Sequence, residues 1–148
     1  MEVAGAHVVF HKMVATPGKH QIQGVLLYKR TQDAPIQPGY WGLIGGSVRR
    51  GEDATVALLR EIKEELEVPE FQPPEFLCDV SIMRDGVTKF IRYFKAHLGH
   101  DMDSLRLKRN QEDNKVEGEG LGWFTQEEIH HLWVRPEDRV ALTRFFGV

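Results

Sequence analysis

Four glutamates, Glu52, Glu61, Glu64 and Glu65, are the residues of this sequence whose type and spacing could do chemistry. Glu61, Glu64 and Glu65 stand at i, i+3 and i+4, so on an α-helix their carboxylates share one arc of the surface. Oxygen ligands gathered on a rigid helix suit Mg²⁺ or Mn²⁺, hard cations that take carboxylate and water and leave positions open for substrate phosphates. Taken alone, such a pattern most often marks a solvated face. Helix energetics do not account for it. Carboxylates in the C-terminal half of a helix oppose the macrodipole by roughly 0.3–1 kcal/mol each. Like-charge neighbours on one face cost roughly 0.2–0.5 kcal/mol per pair. Arg60 with Glu64, and Lys63 with Glu67, can pair only in the weaker orientation, cation first.

The segment upstream shifts the balance. Gly45-Gly46-Ser47-Val48-Arg49-Arg50-Gly51-Glu52 supplies glycines, a turn and a further carboxylate just before the helix. Glycines permit close backbone approach to a phosphate or metal and leave amide N–H groups as donors. Glu52, at the helix start, is placed either to cap it or to join the ligands.

The elements that must position these groups can be traced along the chain. Asp53 to Leu66 holds no Gly or Pro and reads as a helix, with Thr55, Leu58, Leu59, Ile62 and Leu66 as its buried arc and Ala54 and Ala57 on the carboxylate side. Strands are expected over Val3 to Phe10, Ile22 to Arg30, Trp41 to Val48, Phe76 to Arg84, Val87 to Leu98 and Val116 to Phe124. Asp85-Gly86 marks a hairpin turn, since both residues tolerate positive φ. Asp101 to Asn114 is polar and charged and reads as a mobile loop. Thr125-Gln126-Glu127-Glu128 fits a capping box opening a short helix. A last helix, Pro136 to Phe146, starts on proline and stops at Gly147.

Bulk properties bound the function. The 148 residues, 41% hydrophobic and 28% charged, fit one domain over residues 1–148. A net charge of −3 without a basic run excludes a broad electrostatic grip on a nucleic acid polymer. The single cysteine, Cys78, can form no intrachain disulfide and reads as a buried strand thiol. No basic-then-apolar leader opens the chain and no stretch reaches the roughly 20 apolar residues of a membrane helix, so a cytoplasmic protein without a membrane partner is expected. The seven histidines lack metal-protease spacing and read as structural or solvent-facing.

Together these residues resemble the Nudix box. The family pattern is Gly, five residues, Glu, seven residues, then Arg-Glu-apolar-any-Glu-Glu-any-Gly-apolar. Here it reads Gly46, Glu52, Arg60-Glu61-Ile62-Lys63-Glu64-Glu65-Leu66-Glu67-Val68, with Glu67 where the family has Gly. That departure removes no ligand but also removes an inexpensive left-handed helix stop, so another exit is expected. Gly122-Trp123-Phe124-Thr125 with Glu127-Glu128 is similar to a later family segment. The resemblance implies an α+β fold, an α/β/α sandwich with a mixed β-sheet flanked by helices and the box as loop–helix–loop.

It also implies roles. Glu61, Glu64 and Glu65 would be metal ligands, with Glu52 joining them or standing just outside and the Gly45 or Gly46 carbonyl completing the shell. Arg60 would hold the carboxylates and loop in place. Glu64 is one candidate base, and Glu112, Glu117 and Glu119 are others from a later loop. Gly45, Gly46, Arg30 and Trp41 are candidate substrate-binding residues; Trp41, like Tyr40, Trp123 and Phe124, could stack on a base, but core packing is the more usual role for most of these aromatics. The implied activity is Mg²⁺- or Mn²⁺-dependent hydrolysis of a diphosphate linkage in a small nucleotide-like substrate, by a pyrophosphohydrolase that, as in many relatives, forms a homodimer. A Nudix-fold nucleotide sensor with little turnover is the alternative. Leu26-Leu27-Tyr28-Lys29-Arg30 only partly resembles the coenzyme A pattern, so triphosphates, nucleotide sugars and ADP-ribose-like compounds all stay open.

Overall fold

The near-continuous apolar run Ala6 to Phe10, interrupted only by His7, suits a central strand buried on both faces. A computed structural model describes residues 2–18, 20–68, 70–100, 105–107 and 118–147. Its strands are β1 (Val3–Ala15), β2 (Gln21–Arg30), β3 (Trp41–Gly42), β4 (Ile44–Ser47), β5 (Leu66–Glu67), β6 (Glu75–Arg84), β7 (Val87–His97), β8 (Arg106–Leu107) and β9 (Gly118–Thr125). Its helices are α1 (Ala54–Glu65), α2 (Gln126–Ile129) and α3 (Pro136–Phe146). The α+β class is as expected: a mixed sheet flanked by helices.

β1 organises the sheet. It runs parallel to β7 along one side. On the other it pairs with β4 through Gly5 to Val8, and with β2 only from His11 to Ala15. β2 meanwhile continues to pair with β3 and β9. The sheet therefore parts between the β1/β4 pair and the β2/β3 pair. On one face Ala6, Val8, Leu26 and Ile44 pack under α1. On the other, Val9, Leu27 and Tyr93 pack under α2 and α3. Burying a side chain such as Leu58 or Ile62 is worth roughly 1.5–3 kcal/mol each.

Several expectations need correction. The helix is rotated: Ala54, Ala57, Leu58 and Ile62 are buried, whereas Leu59 is 43% exposed and Thr55 is exposed. Leu58, Ile62 and Leu66 of the expected arc do face inward, but the alanines, which let the helix approach the sheet closely, take the places expected for Thr55 and Leu59. Asp53, not Glu52, caps the helix, accepting from the Thr55 amide at 2.7 Å. Trp41 to Val48 is two strands in different pairings, because β3 follows β2 and β4 follows β1.

The helix leaves without a left-handed residue. Leu66 turns to extended backbone (φ −130°, ψ 129°), and β5 pairs with β8. That is the alternative exit Glu67 required. It also corrects the loop reading of Asp101 to Asn114: Leu105 is buried and residues 106–107 form a strand, while the rest of that stretch lies outside the described residues. The Thr125–Glu128 capping box, Pro136 at the start of α3 and left-handed Gly147 at its end form as expected. Among the described residues no helix is long and apolar enough to cross a membrane.

Candidate active site

The glycines and glutamates meet at the parting of the sheet. Gly46 lies on β4 opposite Ala6, and α1 crosses above it so closely that a Cβ there would sit 2.6 Å from both carboxylate oxygens of Glu61. Gly45 has φ of 152°, and a Cβ on it would collide with the Ala6 carbonyl. Both positions are glycine for want of space.

Arg60 ties the loop to the helix. Its Nε donates to Glu52 Oε2 at 2.8 Å and Nη2 to Oε1 at 2.9 Å. Nη1 reaches Glu61 at 2.9 Å and Glu64 at 3.4 Å, and Nη2 also donates to the Ser47 carbonyl at 2.9 Å. Glu52 accepts a further bond from the Arg49 amide at 2.9 Å. Hydrogen bonding by Arg60, then by Arg49, holds the Glu52 carboxyl down at about 2.

The carboxylates are not all on one open surface. Glu61 and Glu65, one turn apart, line a cavity of about 290 Å³ with Tyr28, Arg30, Gly45 and Gly46. Glu64 is 51% exposed and is not in that lining; it stands beside Arg49 and Arg60. Among the described residues no three His, Cys, Asp or Glu side chains converge as a ready metal cage. Glu61 and Glu65 offer the oxygen donors that hard divalent cations take.

Trp41 packs edge-on against Phe124, with ring centroids 4.8 Å apart, and is not in the cavity wall. Glu112 and Glu117 lie outside the described residues, and Glu119 is described only as backbone of β9. Three basic lining residues were not singled out from sequence: His7, Arg84 and Arg135. His7, read as structural or solvent-facing, is 5% exposed, stacks on Tyr93 and has Nδ1 3.4 Å from the Leu43 carbonyl. Burial lowers its pKa. Its position opposite Gly45 could be found only from the β1–β4 register.

The arrangement has counterparts in known proteins. The NUDIX domain family model matches residues 10–145. The chain belongs to the Nudix family. Within it, the chain is 32% identical over 125 residues to the nucleoside triphosphatase NudI of Enterobacter sp. (strain 638), covering 80% of this chain and 85% of that one. The MutT Nudix hydrolase from Burkholderia pseudomallei superposes with a TM-score of 0.69 at 27% identity, over 97% of this chain and 98% of its own. The MutT protein from Methanosarcina mazei Go1 gives a TM-score of 0.70 over 98% and 93% of the two chains, and at 18% identity that likeness shows the fold alone. The chain is thus a Nudix-type pyrophosphohydrolase, an enzyme acting on phosphorus anhydrides, with its Nudix box at Gly46 to Val68.

Proposed function

We propose that this enzyme hydrolyses the diphosphate linkage of a nucleoside triphosphate or nucleoside diphosphate-linked substrate, using Mg²⁺ or Mn²⁺ held by Glu61 and Glu65 with Glu64 beside them. The observation that carries this reading is the position of Glu61 and Glu65: both carboxylates face a cavity that also holds Arg30 and Arg84. Nucleoside triphosphatase relatives support the nucleotide class.

The residues fit such a cation. Every donor is oxygen, and the missing Cβ at Gly46 leaves room for the Glu61 carboxylate. Small hard cations commonly take one or two protein carboxylates and fill the rest of the shell with water and substrate phosphate. When bound, the cation supplies neutralisation of phosphate charge and a more acidic, oriented water. Glu52 and Arg60 act from outside, fixing Glu61 and the glycine loop through the hydrogen bonds described. Arg30 and Arg84 add positive charge for the phosphates.

In the reaction a water oxygen bonds to phosphorus and the anhydride P–O bond breaks, its electrons passing to the leaving phosphate. The water's proton goes to a carboxylate. Glu64 is the described candidate, and Glu112, Glu117 and Glu119 are the others. A triphosphate would give a monophosphate and pyrophosphate.

The test is product release across nucleoside triphosphates, nucleotide sugars and dinucleotides, with Mg²⁺ or with chelator, for wild type and Glu64→Gln. Metal-dependent turnover that is lost in the variant supports the hydrolase. Binding across the panel without turnover would replace it with the sensor.

A further inference from the structure

The strand that carries the glycine pair is held at both ends, from opposite faces of the sheet. At its far end the Ser47 carbonyl accepts from Arg60 Nη2 at 2.9 Å, on the α1 side. At its near end stands Leu43, a fully buried residue joining β3 to β4. Its amide donates to Asp138 Oδ2 at 3.0 Å, and its carbonyl faces His7 Nδ1 at 3.4 Å. Just before it, the Trp41 amide donates to the Trp133 carbonyl at 2.7 Å, and the Trp41 carbonyl accepts from the Arg135 amide at 3.0 Å. The chain entering β4 is thus docked on the start of α3. Gly42 permits that approach, since a Cβ there would lie 3.0 Å from Arg135 Cδ and 3.1 Å from Asp138 Oδ2.

Asp138 is fully buried, and a carboxylate out of water is costly to keep unless its oxygens are bonded. Both are: Oδ1 accepts from the Tyr93 hydroxyl at 2.5 Å and Oδ2 from the Leu43 amide. Neither partner belongs to α3. A carboxylate in the first turn of a helix favours the dipole from the surface as well, so helix stability does not require its burial. The Tyr93 bond ties α3 to β7. The Leu43 bond acts elsewhere, on the chain that leads into β4. Among the described strands β4 pairs with β1 alone, through Gly5 to Val8, and the parting of the sheet lies on its other side. A Cβ on Gly46 would sit 2.6 Å from both Glu61 oxygens, so a small displacement of β4 changes the space that carboxylate occupies.

We infer that Asp138 is a positioning residue for the glycine pair: through the Leu43 amide it sets where Gly45 and Gly46 lie against Glu61. Arg60 fixes the same strand from the α1 side, so the two side chains hold the cavity wall between them. This rests on the proposed role of Glu61 in hydrolysis and adds a residue that acts on it from the opposite face of the sheet.

The experiment compares Tyr93→Phe with the double variant Tyr93→Phe/Asp138→Leu, on the nucleoside triphosphate that wild type turns over fastest with Mg²⁺. Replacing both partners of a buried bond by apolar groups of similar shape costs little stability, so the double variant should fold, with no acceptor for the Leu43 amide. Tyr93→Phe retains that acceptor and should keep its kcat. The double variant should lose roughly 10–100-fold in kcat with KM little changed, the usual cost of losing a group that orients ligands from outside. Asp138→Asn, whose amide oxygen still accepts from Leu43, should recover most of the loss. Hydrogen exchange without metal or substrate supplies a reading independent of turnover. The amides of Ile44 to Ser47 should exchange faster in the double variant than in Tyr93→Phe, while those of β2 and β7 stay matched. A uniform rise across the strands with kcat unchanged would make Asp138 a brace of the fold and overturn the inference. So would a raised KM at constant kcat, the result expected if Asp138 acted through the charge of Arg135, which it lies near enough to stabilise. Should wild type turn over none of the substrate panel, the hydrolase reading fails instead. The exchange comparison then decides alone, and β4 amides that exchange no faster than the rest overturn the positioning of the glycine pair.

Discussion

Arg60 holds Glu52 through two parallel hydrogen bonds, Nε to Oε2 at 2.8 Å and Nη2 to Oε1 at 2.9 Å. The same guanidinium reaches Glu61 and the Ser47 carbonyl, so one side chain joins the loop, the helix and the cavity wall. Only a planar fork can serve these partners at once, and an ammonium cannot. Arg60→Lys should therefore lower kcat by roughly 10–100-fold, the usual cost of losing a group that orients ligands. Steady-state kinetics beside a melting curve check this. An unchanged kcat with a lowered Tm would make Arg60 a brace of the fold only.

The pair also makes a pH prediction. Glu52 titrates at about 2 in the folded protein, against 4.5 without the contacts from Arg60 and Arg49. A depressed carboxyl favours the folded state above its unfolded value, and that contribution is lost as pH falls through the folded one. The difference in Tm between wild type and Glu52→Gln should hold at neutral pH and shrink between 4.5 and about 2. A difference that ignores pH across this window would show that the carboxylate's charge is not what Arg60 holds.

Gly46→Ala tests the cradle. Gly46 has no positive φ, so alanine meets no backbone penalty there. Its Cβ would instead lie 2.6 Å from both Glu61 oxygens, and that carboxylate must move. A folded protein is expected with kcat reduced on the order of 10²-fold, as for an ångström-scale misplacement of a catalytic group. Mn²⁺ affinity, read by electron paramagnetic resonance, should fall with it. Full activity in the alanine variant would remove Glu61 from the site.

What the sequence made legible was local. The glutamates, Arg60 and the glycines lie within a few turns of chain, so spacing alone brings them together, and the capping box and terminal glycine of the last helices are likewise short-range. The facing of α1 was not legible from apolar count, because Ala54 and Ala57 approach the sheet where Leu59 cannot and Glu61 and Glu65 occupy the space beside them. His7 and Arg135 were missed for a different reason. Their place depends on pairings across the chain, His7 opposite Gly45 and Arg135 bound by its amide to the Trp41 carbonyl, which no local pattern announces.

Tyr93 and Asp138 hold the α3 end of the cavity. Asp138 is fully buried and accepts from the Tyr93 hydroxyl at 2.5 Å and from the Leu43 amide at 3.0 Å, joining α3 to β7 and to the β3–β4 connection. Burial and the neighbouring carboxylate push the phenol upward, so it remains a donor throughout the ordinary pH range. Tyr93→Phe keeps the ring on which His7 stacks and removes only the hydroxyl. It leaves one carboxylate oxygen unpaired, and the expected cost is about 1–3 kcal/mol. Denaturant unfolding gives the number. Combining it with Asp138→Ala isolates the coupling: if the bond is real, the double variant should be more stable than the two separate losses added together. Strict additivity would mean that Asp138 is held by Leu43 alone.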